Sequence, residues 1–268
     1  MLAVRRDCRN FRANARWCGQ EIRTTERLSD ARVTVRGIAY SRGVSGGRFS
    51  GGEVEAYVAG VDWLRGILGR AELAAVWGEP SVVARYTVGG MAAHAVHGVV
   101  WLEQLLTDAE PVGLRPVTVG EFFGLNRVDE ANAEVPEDAF SASLLAAAEG
   151  FARTGPATVQ AALTASRDQL VGLLDSADMF RPVAVIRVSG AQTSLREYLR
   201  TRVLELVVHG DDLVCSVPGL AVPDPPPGSL EVSLAVCLEL AQARVGGLAV
   251  LRAFTRDERA LPGALRVL

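Results

Sequence analysis

The chain has 268 residues and a formal net charge of -3, with 49% hydrophobic and 22% charged residues. This is the composition of a globular chain, and it excludes collagen-like, disulfide-framework and wholly disordered proteins. All 28 basic residues are arginine, which excludes lysine chemistry such as a Schiff base or a P-loop. The four cysteines show no CxxC spacing, and no apolar run reaches the roughly 18 residues of a membrane span. We therefore expect a cytoplasmic protein that spans no membrane.

Residues 1–50 differ from the rest of the chain in charge. They hold 11 arginines against 4 acidic residues (+7), whereas the other 218 residues hold 17 against 27 (-10). Because they lack sustained periodicity, we predict that residues 1–51 form a disordered extension. One hypothesis is that the extension is translated upstream DNA, with true initiation near Val44 or Val54. A nucleic-acid-binding arm is disfavoured, since its arginines lack interleaved stacking aromatics and the remaining chain is acidic.

Helical periodicity begins at residue 52. Apolar residues at three- and four-residue steps predict a first helix from Glu53 to about Trp77. Thr87 is the predicted N-cap of a second helix, which is apolar nearly all round and is therefore expected to be buried.

The following elements are predicted from periodicity, turn residues and caps. In chain order they are a long loop at 107–136, helices at 137–153 and 156–176, a short strand at 182–189, and a helix after Thr193 or Ser194 that ends near Val217. Five prolines between Pro218 and Pro227 then predict a linker.

The predicted architecture is mainly α, with four long helices that form a bundle. We divide the chain into the extension 1–51, the bundle 52–217, the linker 218–228 and a small, mostly helical C-terminal appendage at 229–268.

The helix after Ser194 carries a polar stripe within an apolar surface. Residues three and four apart share a helix face, which aligns five polar side chains: Tyr198, Arg202, Glu205, His209 and Asp212. A buried Glu205 needs a cation or a proton, and its spacing from His209 lets both side chains bind one divalent ion. An exposed Glu–His pair on a solvated helix explains the same spacing.

His94 lies in the middle of the second predicted helix. Antiparallel packing could bring it opposite Glu205 and His209, and two histidines with one carboxylate are typical of catalytic zinc. A buried core histidine is the alternative interpretation. His97, one turn further on, competes for the same role.

Two segments carry a resemblance to a known family. LREYLRTRVLELVVHGDDL resembles the signature segment of the mycothiol-dependent maleylpyruvate isomerase family, and PSVVARYTVGGMAAHAVHGVVWL is similar to its earlier segment. The resemblance covers residues 52–268 and implies a DinB-like four-helix bundle with the metal ligands His94, Glu205 and His209. Two positions depart from the family pattern. Tyr86 stands where Trp is usual, and Gly90 stands where an acidic or polar residue often supplies an N3 cap opposite Thr87.

The resemblance also implies a function. Zinc or another divalent metal would activate mycothiol, a low-molecular-weight thiol cosubstrate, for cis–trans isomerisation or S-transfer to a small electrophile. Arg202 would be catalytic by orienting a substrate carboxylate, or would neutralise a neighbouring acid. Asp212 would accept a hydrogen bond from an imidazole, or would be a solvated acid at the helix end. Tyr198 is expected to be core packing with a satisfied hydroxyl.

The C-terminal region limits what the resemblance implies. The isomerase adds a mixed α/β domain to its bundle, whereas about 40 residues, read mostly as helix, follow the linker here. This difference argues against isomerase activity on maleylpyruvate. The alternative function is a catalytically silent metal-binding bundle that serves as a ligand-binding or interaction module.

Overall fold

The computed structural model describes residues 52–124, 139–184 and 191–267. The predicted disordered extension, residues 125–136 of the predicted 107–136 loop and the second half of the predicted strand lie outside these described residues.

The described part of the chain is mainly helical, which confirms the predicted fold class. Its helices are α1 Gly52–Leu68, α2 Ala71–Ala75, α3 Val88–Thr107, α4 Val119–Gly124, α5 Ala139–Ala152, α6 Pro156–Asp175, α7 Leu195–Ser216, α8 Pro227–Val245 and α9 Gly247–Thr255. Its short strands are β1 Arg115–Pro116, β2 Pro182–Ala184 and β3 Ala191–Ser194.

Helices α1, α3, α6 and α7 form the four-helix bundle. α1 packs against α6 and α7, and α3 packs against the same two helices, so the four enclose one core. Fully buried side chains from each helix fill this core, among them Leu64, Met91, Leu163 and Leu199. Burial of each such side chain contributes about 2 kcal/mol. α5 packs on the outside of α3.

The helix ends follow local capping chemistry. Thr87 Oγ1 accepts a hydrogen bond from the backbone N–H of Gly90 at 2.8 Å, and Ser194 Oγ accepts one from that of Glu197 at 3.2 Å. Pro156 occupies the first turn of α6, where backbone N–H groups have no acceptor within the helix, so the missing N–H of proline costs no hydrogen bond. The predicted starts of α3, α6 and α7 are therefore confirmed, with Ser194 as the cap of α7.

The prediction of one helix from Glu53 to Trp77 was wrong. The helical ladder stops at Leu68 because Arg70 is extended, with φ -82° and ψ 127°, and a separate short helix follows. This break lets Leu73 become fully buried and lets the Trp77 indole N–H donate to the carbonyl of Ala152 at 2.9 Å. Tertiary contacts outweigh the helical periodicity here.

The predicted 107–136 loop contains regular structure that was missed. β1 pairs in parallel with β3, which pairs antiparallel with β2, so the sheet order is β1-β3-β2. The start of the predicted 182–189 strand is confirmed as β2. α4 begins with a capping box, since Thr118 Oγ1 accepts from the Glu121 N–H and the Glu121 carboxylate accepts from the Thr118 N–H.

The chain after α7 returns to the bundle. The carbonyl of Pro223 accepts a hydrogen bond from the Trp63 indole at 3.0 Å, and α8 then packs along α1 and α7. Ser229, fully buried on α8, donates to the carbonyl of Ala56 at 2.6 Å. The C-terminal helices are thus attached to the bundle, and the division at residue 218 stays a prediction.

Within the described ranges, no single helix is long and apolar enough to cross a membrane. α8 and α9 reach the required length and hydropathy only when they are taken together, and the chain bends by 117° between them.

Candidate metal centre

The structure brings together the three side chains predicted as ligands. His94 lies in α3, and Glu205 and His209 lie one turn apart in α7, which packs directly against α3. The rings of His94 and His209 are 5.0 Å apart between centroids, and Glu205 Oε2 lies 2.8 Å from His209 Nε2. His97 is half-buried one turn further along α3, and no described hydrogen bond or ring contact joins it to the group.

The two ring nitrogens of His209 have different surroundings. Nδ1 lies 3.2 Å from the Asp212 carboxylate, which is therefore a direct imidazole partner. Nε2 is buried, and its close approach to Glu205 is not aligned for a hydrogen bond, so it has no hydrogen-bond partner among the described atoms. If Nδ1 donates to Asp212, a lone pair at Nε2 faces a carboxylate, and this arrangement is repulsive unless a proton or a cation lies between them.

The pKa values of His209 and Glu205 show whether a proton lies between the two side chains in the metal-free protein. Burial alone lowers the pKa of His209, but the carboxylates of Asp212 and Glu205 outweigh it and raise that pKa to about 9. Burial likewise raises the pKa of Glu205, yet the close approach and positive charge of His209 and the charge of Arg202 bring it down to about 2. A proton therefore occupies His209 at neutral pH.

His94 is electrostatically different from His209. Its burial, followed by the positive charge of His209, lowers its pKa to about 4. A neutral His94 keeps one ring nitrogen free to bind a cation.

The donor set fits a divalent cation in its chemistry. Two imidazoles and one carboxylate are typical zinc ligands, and the buried Nε2 of His209 lacks a hydrogen-bond partner. The side chains do not converge on a common point, and no group of three metal-ligating side chains is in place within residues 52–124, 139–184 and 191–267. Metal binding would require Glu205 and His209 to separate.

Arg202 lies beside the candidate ligands in an aromatic clamp. Its guanidinium carbon is 5.1 Å from the ring centre of Tyr198 and 5.8 Å from that of Phe122. Nη2 lies 3.7 Å from Glu205 Oε1, and Nε donates to Thr201 Oγ1 at 3.2 Å. The clamp fixes the plane of the guanidinium one turn before Glu205.

Several neighbours of the site were missed from sequence. Phe122 reaches Arg202 from α4, and the T-x-x-E capping box at Thr118 was the signal that could have located that helix. Tyr57 on α1 is fully buried, burial raises the pKa of its hydroxyl, and that hydroxyl has no hydrogen-bond partner in the described structure. No sequence pattern marked Tyr57 as more than a core residue.

Both departures from the family pattern lie at this site. The ring of Tyr86 is 5.5 Å from that of His94, so Tyr86 borders the candidate ligand directly. Gly90 provides no cap of its own, and Glu149 from α5 accepts hydrogen bonds from the Thr87 N–H at 2.8 Å and from its hydroxyl at 3.0 Å. The capping carboxylate therefore comes from another helix.

The fold and the cluster at its centre define a DinB-like helical bundle with a candidate metal centre between α3 and α7. The family described as mycothiol maleylpyruvate isomerase N-terminal domain matches residues 59–214, which is more than half of the chain. The chain belongs to this family. The matched range contains His94, Arg202, Glu205 and His209. Comparison with curated proteins and with solved structures gave no match.

Proposed function

We propose that this protein binds a divalent metal, zinc in the first instance, and activates a low-molecular-weight thiol for cis–trans isomerisation or S-transfer to a small electrophile. One observation carries the proposal. The buried Nε2 of His209 lacks a hydrogen-bond partner and faces the Glu205 carboxylate, with the neutral imidazole of His94 beside it. Mycothiol is the thiol that membership of the family supports.

His94, Glu205 and His209 would hold the metal, and Asp212 would set the tautomer of His209. A carboxylate at Nδ1 keeps the proton on that nitrogen and leaves the lone pair of Nε2 for a cation. Bound zinc would lower the pKa of an incoming thiol and favour its thiolate, the nucleophilic form.

The thiol is proposed to arrive as a cosubstrate. Of the described cysteines, Cys215 lies six residues beyond His209 on a different face of α7, and Cys237 lies on α8. Burial also raises the pKa of Cys237, which disfavours its thiolate. We propose a cytoplasmic location, where low-molecular-weight thiols are kept reduced.

Arg202 is the proposed catalytic side chain. Among the described contacts its guanidinium donates one hydrogen bond, to Thr201, and its distance to Glu205 is that of a loose ion pair. The remaining N–H groups can bind an anionic group of the electrophile, and the rings of Tyr198 and Phe122 hold the guanidinium plane in place.

Metal content is the first test. Purified wild-type protein should hold about one zinc per chain by elemental mass spectrometry. His94→Ala and His209→Ala should each lose most of it, whereas His97→Ala is the matched control from α3 and should keep it. Substoichiometric metal that is unchanged by His94→Ala and His209→Ala would refute the site.

Thiol activation is the second test. Zinc-loaded protein is incubated with mycothiol and a panel of small electrophiles, including cis-configured unsaturated acids, and products are identified by mass spectrometry. Thioether adducts indicate S-transfer, and an isomer of unchanged mass that forms only with thiol present indicates isomerisation. Either product should disappear in Glu205→Ala and persist in His97→Ala.

A non-catalytic binding module is the second candidate function. A groove of about 330 Å³ lies beside the short sheet, lined in part by Thr118, Gln192 and Glu197, two turns before Glu205 along α7. A groove away from the candidate metal centre favours ligand binding without chemistry. Metal binding of normal affinity, with no product from any thiol and electrophile, would support this candidate.

A further inference from the structure

Two buried hydrogen-bond donors have no acceptor in the part of the chain that the structure describes. They are the hydroxyl of Tyr57 on α1, a fully buried residue, and the indole N–H of Trp101 on α3. By contrast, the indoles of Trp63 and Trp77 donate to backbone carbonyls at 3.0 and 2.9 Å. A buried donor without an acceptor is costly, and folded proteins contain few of them. We therefore looked for the acceptor that would suit both groups.

Helices α1 and α7 run parallel, which fixes the level of Tyr57 in the bundle. Near the start of each helix, Arg196 donates to Glu53 at 2.7 Å. Further along, a Cβ at Gly60 would lie 3.4 Å from Cδ1 of Leu206. Tyr57 lies between these two contacts on α1, so it faces the part of α7 between the same two contacts.

Tyr198 and Arg202 belong to that part of α7. Burial raises the pKa of the Tyr57 hydroxyl, Tyr198 raises it further, and the positive charge of Arg202 opposes the rise. The Tyr57 hydroxyl is thus near both side chains and keeps its proton at neutral pH. It is therefore available as a hydrogen-bond donor at the level of Arg202.

Helix α3 runs antiparallel to α7 and brings Trp101 to the same level. The rings of His94 and His209 are 5.0 Å apart, and one turn further along α3 a Cβ at Gly98 would lie 3.7 Å from Nη1 of Arg202. Trp101 follows His94 by seven residues and shares its helix face. Long side chains lean towards the helix N-terminus, which for Trp101 is the direction of Gly98. Since Gly98 has no side chain, space remains beside the guanidinium.

A carboxylate satisfies this set of donors. The level of Arg202 combines a cation with the unpartnered hydroxyl of Tyr57 and indole N–H of Trp101, and a carboxylate offers two oxygens with about four lone pairs. The negative charge of Glu205 is balanced by protonated His209. The side chains of Arg202 and Glu205 are 17% and 32% exposed, so a small molecule can reach them from solvent.

We propose that Tyr57 and Trp101 donate hydrogen bonds to the carboxylate of a small acid whose charge is paired with Arg202. The proposal rests on the proposed function, in which Arg202 binds an anionic group of the electrophile, and it makes that electrophile a carboxylic acid. Arg202 precedes Glu205 by one helical turn, about 5 Å along the axis. An acid of only a few carbons would therefore span from this subsite to the candidate metal centre.

Nuclear magnetic resonance of the ¹⁵N-labelled full chain, without added metal or thiol, tests the subsite with propionate as the probe. The indole N–H signal of Trp101, assigned by its loss in Trp101→Phe, should shift downfield and saturate as propionate is added. The signals of Trp63 and Trp77, which already have acceptors, should stay in place. Propionamide, of similar shape without the charge, should bind at least about 10-fold more weakly.

Two variants test the individual donors. Tyr57→Phe removes one hydroxyl and should weaken propionate binding by about 10-fold, with a melting temperature at or above that of wild type because no hydrogen bond is lost. Arg202→Gln should weaken binding by at least about 30-fold. Arg70→Gln, at an exposed ion pair with Glu72, is the matched control and should bind as wild type does.

The outcomes separate this subsite from the proposed function. A Trp101 signal that does not move, a shift that does not saturate, or wild-type affinity in Tyr57→Phe overturns the subsite, even if the protein binds zinc and activates a thiol. Saturable propionate binding that Tyr57→Phe and Arg202→Gln weaken supports the subsite, even if zinc binding fails and the proposed function is refuted.

Discussion

Glu149 occupies the space that a side chain at Gly90 would need. A Cβ at position 90 would lie 2.0 Å from Oε1 of Glu149, whose carboxylate binds both the N–H and the hydroxyl of Thr87. Glycine at the third position of α3 thus allows α5 to cap that helix, and His94 lies one turn further on. The start of the helix that carries a candidate ligand is therefore held by a neighbouring helix.

We expect Glu149→Ala to destabilise the protein by about 1 to 2 kcal/mol, because the half-buried Thr87 N–H loses its acceptor. Chemical denaturation followed by circular dichroism measures the free energy of unfolding. Glu55→Ala, on the exposed side of α1, is the control and should change stability by less than about 0.5 kcal/mol.

The contact between Glu149 and Gly90 predicts that Gly90→Ala changes stability in opposite directions in the absence and in the presence of the Glu149 side chain. In the Glu149→Ala background, Gly90→Ala should stabilise the protein by up to about 1 kcal/mol through helix propensity. In wild-type protein the new Cβ displaces the Glu149 carboxylate, so the substitution should be neutral or destabilising. Additive effects in the double-mutant cycle would contradict the proposed coupling.

Gly210 lies next to His209, and its lack of a side chain leaves room for the ring of Trp63. A Cβ there would lie 2.1 Å from Cζ3 of Trp63, an indole that is buried and whose N–H bonds the carbonyl of Pro223. The ring has no free space to enter, so Gly210→Ala should cost about 1 to 3 kcal/mol. Gly172→Ala in α6, where a Cβ meets nothing within 4 Å, is the control and should be neutral or stabilising. Equal melting temperatures for the two variants would contradict the packing.

Metal binding should depend on pH through His209. The raised pKa of about 9 means that metal-free His209 is protonated at pH 7, whereas His94, with a pKa near 4, is neutral. A metal must displace one proton, so the apparent zinc affinity should rise about tenfold per pH unit up to pH 9. Competition with a chelator at several pH values measures the slope. A pH-independent affinity between pH 7 and 9 would contradict this assignment.

The raised pKa of His209 should also make the stability of the metal-free protein depend on pH. The pKa of His209 rises from 6.5 in the unfolded chain to about 9 in the folded one, so its protonation stabilises the folded chain fully below pH 6.5. This contribution is lost as the pH rises through 9. Urea denaturation of metal-free protein should therefore show stability declining across this range. His209→Gln should lack that decline.

Arg202 should affect reaction but not metal binding. Arg202→Gln removes the charge and the planar set of donors, so transfer of thiol to an anionic electrophile should slow by about 10- to 100-fold. Zinc content should stay unchanged because Arg202 is not among the proposed ligands. Arg70→Gln, which removes an exposed ion pair with Glu72, is the control for loss of an arginine. Equal rates of the two variants with anionic and neutral electrophiles would exclude a role for Arg202.

Sequence patterns predicted the features that depend on residues within one turn of each other. The cap of α3 at Thr87 and the stripe from Tyr198 to Asp212 follow from helical geometry alone, and the structure has both. The T-x-x-E box of α4 was equally local and was overlooked. The pairing of β1 with β3 joins Arg115 to Ala191, and no pattern near either residue encodes a partner so distant in the chain.

The sequence by itself therefore determined most of the long helices, the cap at Thr87 and the placing of Glu205 and His209 on one face, because spacing of three or four residues sets which side chains share a face. The choice of His94 rather than His97 as the third candidate ligand came from the family resemblance. Only the tertiary structure decided how these groups meet. The break at Arg70, the Phe122 ring over Arg202 and the Glu149 cap at Gly90 each depend on how separate elements pack. Such contacts arise from burial and shape between distant segments, and local periodicity carries no information about them.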